Sequence, residues 1–186
     1  MRFHFVFFLV ATLLLGTPAA RAQRFSAGTD AVDWLCFGTL NAEVSAAVSQ
    51  HCSLHAGAAL NPWTFRAGDP EKQFQFRQNS YWGGARWWPW HVYSGWWFGG
   101  DLRYTVYNIG GITKRLTEEG DAWGAGAYGG YSVMLNEHLN LDLGAGFRGG
   151  YKKYRQYACP VCGPVVDEGE KAFFLPDARI ALLFIF

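Results

Sequence analysis

The 186-residue chain carries 16 Lys and Arg residues against 15 Asp and Glu residues, so its charge is nearly balanced. This balance argues against a nucleic-acid-binding protein, which needs a concentrated basic surface. The 23 glycines disfavour helices, where each costs about 1 kcal/mol relative to alanine, and the abundant aromatic residues favour strands. The composition therefore predicts a mainly β protein, long enough for one domain of ordinary size.

The first 22 residues are predicted to be a secretory signal peptide. An apolar run over residues 5–15 precedes an Ala-Arg-Ala cleavage site that ends at Ala22. The run is too short for a comfortable membrane helix, and Gln23 stands where a lipoprotein would have Cys. We therefore expect residues 1–22 to be removed. Residues 23–186 then form the exported domain, with a net charge near −1 because the leader contains two Arg and no acid.

In chain order, eight strands are predicted, separated by turn signals. They cover residues 27–37, 40–48, 53–60, 73–88, 94–107, 122–135, 139–154 and 173–186. The connections after the second, fourth and sixth strands are short, and those after the third, fifth and seventh are longer. Only the short first connection departs from this alternation.

Short periplasmic turns and long outer loops are typical of outer-membrane barrels. The pattern therefore predicts an all-β fold, an eight-stranded antiparallel transmembrane barrel of the outer membrane. A soluble β-sandwich is the alternative, with residues 173–186 as its last core strand.

Alternating side chains separate an apolar face from a polar one. In the seventh strand, leucines at positions 139, 141 and 143 alternate with polar or small residues. Three strands place charges on the face turned away from lipid, as the pairs Asp101 with Arg103, Asp142 with Arg148, and Asp177 with Arg179. A narrow eight-stranded barrel has room only for side chains, and an unpaired buried charge is very costly. We therefore expect a plugged barrel in which these charges pair, with Arg86 also inside.

Aromatic residues cluster at the strand ends. One group flanks the turn at Pro89 and consists of Trp87, Trp88, Trp90, Tyr93 and Trp96. The other flanks the longer connections and consists of Trp63, Phe65, Phe74, Tyr107, Tyr151 and Tyr154. Two such groups at opposite ends are typical of the interfacial girdles of a membrane barrel. The alternative is an aromatic sandwich core.

Three local motifs carry a resemblance to a known family. They are Asn61-Pro62-Trp63-Thr64-Phe65, Tyr107-Asn108-Ile109-Gly110-Gly111 and Tyr157-Ala158-Cys159-Pro160-Val161-Cys162-Gly163. With them, residues 27–186 resemble the small outer-membrane β-barrel proteins of Bacteroides-type Gram-negative bacteria that are classed as domain of unknown function 3575. This resemblance implies an outer-membrane barrel and no established reaction. The terminal Phe186 also resembles the signal that the barrel-assembly machinery reads.

Cys159 and Cys162 form a CxxC motif in a predicted loop of an exported protein. Such a pair can be a disulfide, half a metal site, a redox pair or two free thiols. A zinc site needs two further ligands, and a redox pair usually begins a helix; the sequence predicts neither here. We expect a structural disulfide on a cell-exposed loop. Cys36 and Cys52 should lie at opposite ends of the second strand, too far apart to bond.

His51 and Ser53 form a His-x-Ser pair, which matters because deacylases of lipid A with this architecture use His, Ser and an acid on the barrel exterior. The pair falls in a predicted periplasmic turn, away from the acyl chains of the outer leaflet. His55, His91 and His138 also lie near that end. We therefore expect no catalytic residue, no metal and no cofactor.

The sequence thus favours a monomeric outer-membrane barrel without catalysis, in a structural, adhesion or assembly-accessory role. Its expected partners are outer-membrane lipid, the barrel-assembly machinery and a surface or periplasmic protein, with no nucleic acid. Two alternatives stay open. One is an outer-membrane lipid-modifying enzyme of the deacylase or acyltransferase type, and the other is a soluble periplasmic lipid-binding barrel.

Overall fold

Eight antiparallel strands form one closed ring, in which β8 returns to pair with β1. This computed structural model describes residues 24–67, 73–112, 116–159 and 163–186. The elements are β1 (Phe25–Asp30), α1 (Ala31–Leu35), β2 (Leu40–Ala47), β3 (Cys52–Phe65), β4 (Phe74–Trp87), β5 (Gly95–Gly110), β6 (Thr117–Met134), β7 (Leu139–Tyr157) and β8 (Val165–Ile185). The prediction of an all-β fold with eight antiparallel strands is confirmed. Within the described ranges, no helix is long and apolar enough to cross a membrane. The predicted signal peptide, residues 1–22, lies outside them.

The strand register staggers the ring. Ser26 of β1 pairs directly with Ile185 of β8. The register partners of Ser26 can also be traced around the ring in the opposite direction, from β2 to β7. This path reaches β8 at Leu175, ten residues before Ile185. Eight strands tilted in this way enclose a narrow interior that side chains fill.

Glycines that face the interior make room for its largest side chains. A Cβ atom on Gly57 would collide with the Trp82 ring, and one on Gly130 would collide with the Trp97 ring. Each of these glycines is the register partner of its tryptophan on the neighbouring strand, where any side chain would occupy the space of the indole. Part of the high glycine content is therefore the space that the interior aromatics occupy.

The predicted first strand, residues 27–37, is wrong in its second half. β1 ends at Asp30, whose carboxylate accepts a 2.9 Å hydrogen bond from the backbone N–H of Val32 and so caps α1. After α1, Phe37 and Gly38 have φ angles of 53° and 69°, which turn the chain back into β2. Capping by Asp30 thus outweighs the β propensity of the residues that follow.

Several strands extend further than predicted. β3 continues through the Asn-Pro-Trp-Thr-Phe motif and pairs with β4 up to Phe65 and Phe74. β6 begins at Thr117 and β8 at Val165, inside segments predicted to be loops. The charged residues there alternate along the strands and pair across them, as Lys153 does with Glu170 at 3.0 Å. Their polarity indicated loops, but an antiparallel sheet that faces water needs no apolar pattern.

Candidate functional site

One end of the barrel is closed by a base plug, which consists of Trp88, Val92, Tyr93, Trp97 and Ile185. The Trp88 indole donates to the Ser53 hydroxyl at 3.0 Å, and the Tyr93 hydroxyl lies 2.8 Å from that of Ser45. The Asn140 amide donates to the Tyr93 carbonyl at 2.6 Å. Placing Trp88 and Tyr93 in an outer girdle was therefore wrong, because the turn between β4 and β5 folds inward.

Above the plug lies a lower ion layer, formed by Glu43, Arg86, Asp142 and Arg179. Glu43 is its centre, because its carboxylate receives Arg86 at 2.6 Å and Arg179 at 2.8 Å. The Trp82 indole donates to the same carboxylate at 3.0 Å. Asp142 is fully buried and lies 3.8 Å from Arg86. Four strands are thus connected through one carboxylate and its neighbours.

An upper ion layer follows, formed by Asp101, Arg148 and Asp177. The Arg148 guanidinium lies 2.7 Å from Asp177 and 3.3 Å from Asp101, and it donates to the Tyr128 hydroxyl. These pairs join different strands rather than neighbours along one strand. Asp142 pairs with Arg86 and not with Arg148, because the tilt of the strands brings Arg148 to the level of Asp101.

Arg103 differs from the other interior arginines. Its guanidinium stacks 4.4 Å over the Trp82 ring. No hydrogen bond or ion pair joins it to any residue in the described ranges, including Asp101, its neighbour on the strand. A cation over an indole ring is stabilised by the ring quadrupole, which accounts for its place beside the paired charges. The six interior charges chosen from the sequence therefore all face inward, and five of them form ion pairs.

Little space remains between the two ion layers. The cavity there measures about 40 Å³ and is lined by side chains of both layers together with Arg103 and Trp82. That volume is enough for one or two water molecules. The interior is therefore filled, with polar residues in its middle and apolar residues at its base.

A polar cluster fills the upper interior, beyond the ion layers. Glu118 forms an ion pair with Lys152 and accepts hydrogen bonds from Tyr107 at 2.7 Å and Gln156 at 3.0 Å. Burial raises the pKa of Glu118, but the bonds from Lys152, Tyr107 and Gln156 outweigh it and leave this pKa below its usual value. Burial and the neighbouring Glu118 raise the pKa of Tyr107. The carboxylate is thus held in its charged form.

A second, wider concavity of about 1060 Å³ crosses β3 to β8 near their upper ends. Its charged residues are Arg77, Glu119, Asp121, Lys153, Arg155, Glu168 and Glu170. Several of them neutralise one another, as in the 3.3 Å pair of Arg155 with Glu168. The mixed charges give this surface no preference for ligands of one sign.

His51, His91 and His138 lie at the base of the barrel, as expected. His55 does not, because it is buried and lines the small cavity between the two ion layers. His51 bonds the Trp88 carbonyl through its Nδ1 at 3.0 Å, and Ser53 binds the indole of the same Trp88. His138 bonds the Ile185 carbonyl at 3.2 Å. His51 and Ser53 therefore both hold the base plug in place. No group of three or more metal-binding side chains occurs in the described part of the chain.

Two of the four cysteines, Cys36 and Cys52, are free thiols. Cys36 follows α1, whereas Cys52 begins β3 at the base, so they lie at different levels, as expected. Cys162 lies outside the described residues. Cys159 is not one of the free thiols. The disulfide between Cys159 and Cys162 therefore stays a prediction.

Sequence reasoning missed Glu43, the centre of the lower ion layer. A signal was present, because in β2 the polar residues Asn41, Glu43 and Ser45 alternate with apolar ones. Trp97 did carry a signal, because period-two alternation along β5 places it on the same inward face as Asp101 and Arg103. Trp82 was not singled out, since an aromatic residue is equally suited to a lipid-facing position and to a plugged interior.

The protein is therefore a small antiparallel β-barrel of eight strands. Paired charges lie inside it, and apolar side chains cover its outside. The chain belongs to the family described as a protein of unknown function, DUF3575, whose sequence model matches residues 6–186. No curated protein matches the chain.

Proposed function

We propose that the protein is an outer-membrane barrel that neither conducts ions nor catalyses a reaction, with a structural, adhesion or assembly-accessory role. One observation carries the membrane part of this proposal: an apolar belt surrounds the outside of the barrel. On β7 the outward residues from Leu141 to Tyr151 are apolar, and Lys153 and Arg155 follow. Ten residues of a tilted strand cover about 25 Å, the height of the lipid-facing band of such barrels.

The belt ends in one cross-strand row. The first charged outward residues are Asp121 on β6, Lys153 on β7 and Glu170 on β8, and they are direct register partners. Below this row, large apolar side chains are exposed on every long strand, among them Leu54, Tyr81, Phe98, Leu102, Trp123, Phe147 and Phe174. Exposed apolar surface of this extent is unfavourable in water and favourable in hydrocarbon.

The interior supports the other parts of the proposal. The base plug and the two ion layers leave no continuous channel between the described residues, so we propose that the barrel does not conduct ions. His51 and Ser53 hold Trp88 and are not aimed at lipid, which favours a role without catalysis. We further propose that residues 1–22 are a cleaved signal peptide and that the barrel is a monomer inserted by the barrel-assembly machinery.

Two matched substitutions test the belt. Leu102 lies in its middle and Val166 lies beyond it, yet both are apolar and well exposed. Leu102→Arg should destabilise the barrel in phospholipid vesicles by about 2–4 kcal/mol, because a charge then faces the bilayer centre. Val166→Arg should have almost no effect. The free energy of unfolding in urea, followed by the heat-modifiable gel shift, measures both.

A soluble barrel would tolerate both arginines equally, and that result would overturn the membrane proposal. Cell fractionation gives independent evidence: the mature protein should sediment with outer membrane and resist carbonate extraction. Recovery in the soluble periplasm would instead favour a soluble lipid-binding barrel. Purified protein in a planar bilayer should show no steady conductance.

A further inference from the structure

The barrel wall is incomplete on one side. β1 has six residues and β2 has eight, whereas β8 has 21. The last pair between β1 and β8 is Asp30 with Ala181, and the last pair between β2 and β3 is Leu40 with Leu60. In the described ranges, residues 165–180 of β8 and 61–65 of β3 therefore have a partner strand on one side only. We call the opening between these two edges, above α1, the rim notch.

The rim notch is lined by apolar side chains. Leu175 shares the inward face of β8 with Asp177 and Arg179, yet it is 57% exposed because no strand covers it. On the β3 side, the ring of Phe37 packs against those of Phe65 and Phe74 at 6.3 and 6.1 Å. At the bottom of the notch, Leu35 of α1 is 85% exposed and its neighbour Trp34 is also exposed. These residues contrast with the charged interior beside them.

The free edge of β8 offers few backbone donors at this level. Phe186 donates its N–H to Phe25 on the β1 side, so even-numbered residues of β8 direct their N–H groups toward the free edge. The N–H of Ile180 is bound by the Asp30 carboxylate at 3.3 Å. Pro176 occupies another of these positions and has no N–H. A β-strand from a partner would need the missing donor, whereas an apolar occupant would not.

The position of the rim notch along the barrel axis indicates which apolar occupant it could hold. Phe174 and Pro176, the outward neighbours of Leu175, belong to the apolar belt, below the charged row at Glu170. In the membrane proposed above, on which this inference rests, the notch opens toward the hydrocarbon of the outer half of the bilayer. We propose that one acyl chain of a membrane lipid occupies the rim notch, against Leu175, and completes the wall there.

Site-specific photocrosslinking tests this proposal. Benzoylphenylalanine is placed, in separate variants, at Leu175 in the notch, at Leu102 on the lipid face, and at Thr105. Thr105 faces inward on β5, where both neighbouring strands cover it. Each variant is folded into vesicles of phosphatidylcholine and phosphatidylglycerol that contain a chain-labelled phosphatidylglycerol. After illumination, labelled lipid attached to the protein is counted.

The yield at Leu175 should approach the yield at Leu102 and be roughly ten times that at Thr105, because lipid reaches the first two positions and not the third. Equal, low yields at Leu175 and Thr105 beside a high yield at Leu102 would overturn the notch proposal and leave the membrane proposal intact. High yields at all three positions would also overturn it, because lipid would then enter the whole interior. Low yields at all three would reject the membrane proposal itself. The heat-modifiable gel shift shows that each variant is folded.

Discussion

Glu43 is the residue on which the charge balance of the lower interior depends. It is 4% exposed and holds two arginines and an indole from two other strands, β4 and β8. A buried charge that loses its partner is far more costly than the same pair is stabilising, because the remaining charge stays desolvated. We therefore expect the fold to tolerate substitutions of Glu43 poorly, although this side chain is polar.

Glu43→Gln should lower the free energy of unfolding by about 3–5 kcal/mol, since Arg86 and Arg179 then lose the carboxylate that neutralises them. Urea unfolding in vesicles measures the change. Glu170→Gln is the matched control, because its partner Lys153 is exposed and exposed pairs contribute little. Similar losses for both variants would show that the interior layer has no special importance.

At this scale the sequence predicted which faces carry charge, and the alternation along β5, β7 and β8 was sufficient for that. It did not predict the partners. Arg148 meets Asp101 and Asp177 across the barrel because of the stagger between strands, and stagger is a property of the closed ring that no single strand displays.

Among the elements, the turn between β4 and β5 has the largest effect on the interior. It turns inward at Tyr93, which has a φ angle of 65°, and carries Trp88 and Val92 into the base plug. The sequence showed a Pro89 turn flanked by aromatics, which fits an outer girdle equally well. When the strands close into a ring, the ring is still open at its lower end. These side chains fill that opening, which exists only in the closed barrel.

Trp88→Ala should cost about 3–5 kcal/mol, because it leaves a cavity in a fully buried cluster and frees the Ser53 hydroxyl. Trp90→Ala, in the same turn, should change stability far less, since Trp90 is well exposed. The two urea midpoints, compared at equal slope, measure the difference. If Trp90→Ala proves to be the more damaging substitution, the plug is not what stabilises the base.

The connection between β7 and β8 carries the CxxC motif. A bond between Cys159 and Cys162 would close a very short ring, so the chain-entropy model assigns it roughly 2 kcal/mol or less. Replacing both with Ser should leave insertion and heat modifiability unchanged while exposing the loop to external protease. Thiol labelling should find both blocked until reductant is added. If the purified protein contains stoichiometric zinc, and mutating either Cys removes it, the motif is a metal site and not a disulfide.

At the scale of the whole molecule, the ring closes where β1 meets β8. The backbone of Phe25 exchanges two hydrogen bonds with that of Phe186, at 3.0 and 2.9 Å, and their rings stack at 6.3 Å. The number of strands was predictable because turn signals separate eight β-prone segments. Closure was predictable because strands in lipid must satisfy all their backbone groups. The lengths of β6 to β8 were not, because their upper halves rise above the apolar belt and lose the pattern that marks a half-buried strand.

Phe186 is expected to act as an assembly signal. Phe186→Ala should lower the amount of barrel in the outer membrane severalfold, while the purified variant refolds into vesicles with only a small loss of stability. Phe184→Ala is the matched control, because Phe184 belongs to the same aromatic stack, 6.1 Å away. Equal outer-membrane levels of the two variants would reject a signalling role for Phe186.

The lengthening of the strands, from six residues in β1 to 21 in β8, makes the upper rim one-sided. On a cell that carries the proposed barrel, an antibody or a phage fibre would meet β6, β7 and β8 long before it met β1 or β2. Immune and phage selection would therefore fall on the charged residues between 153 and 171. The short strands would be shielded by the surrounding lipopolysaccharide and free to vary only as packing allows.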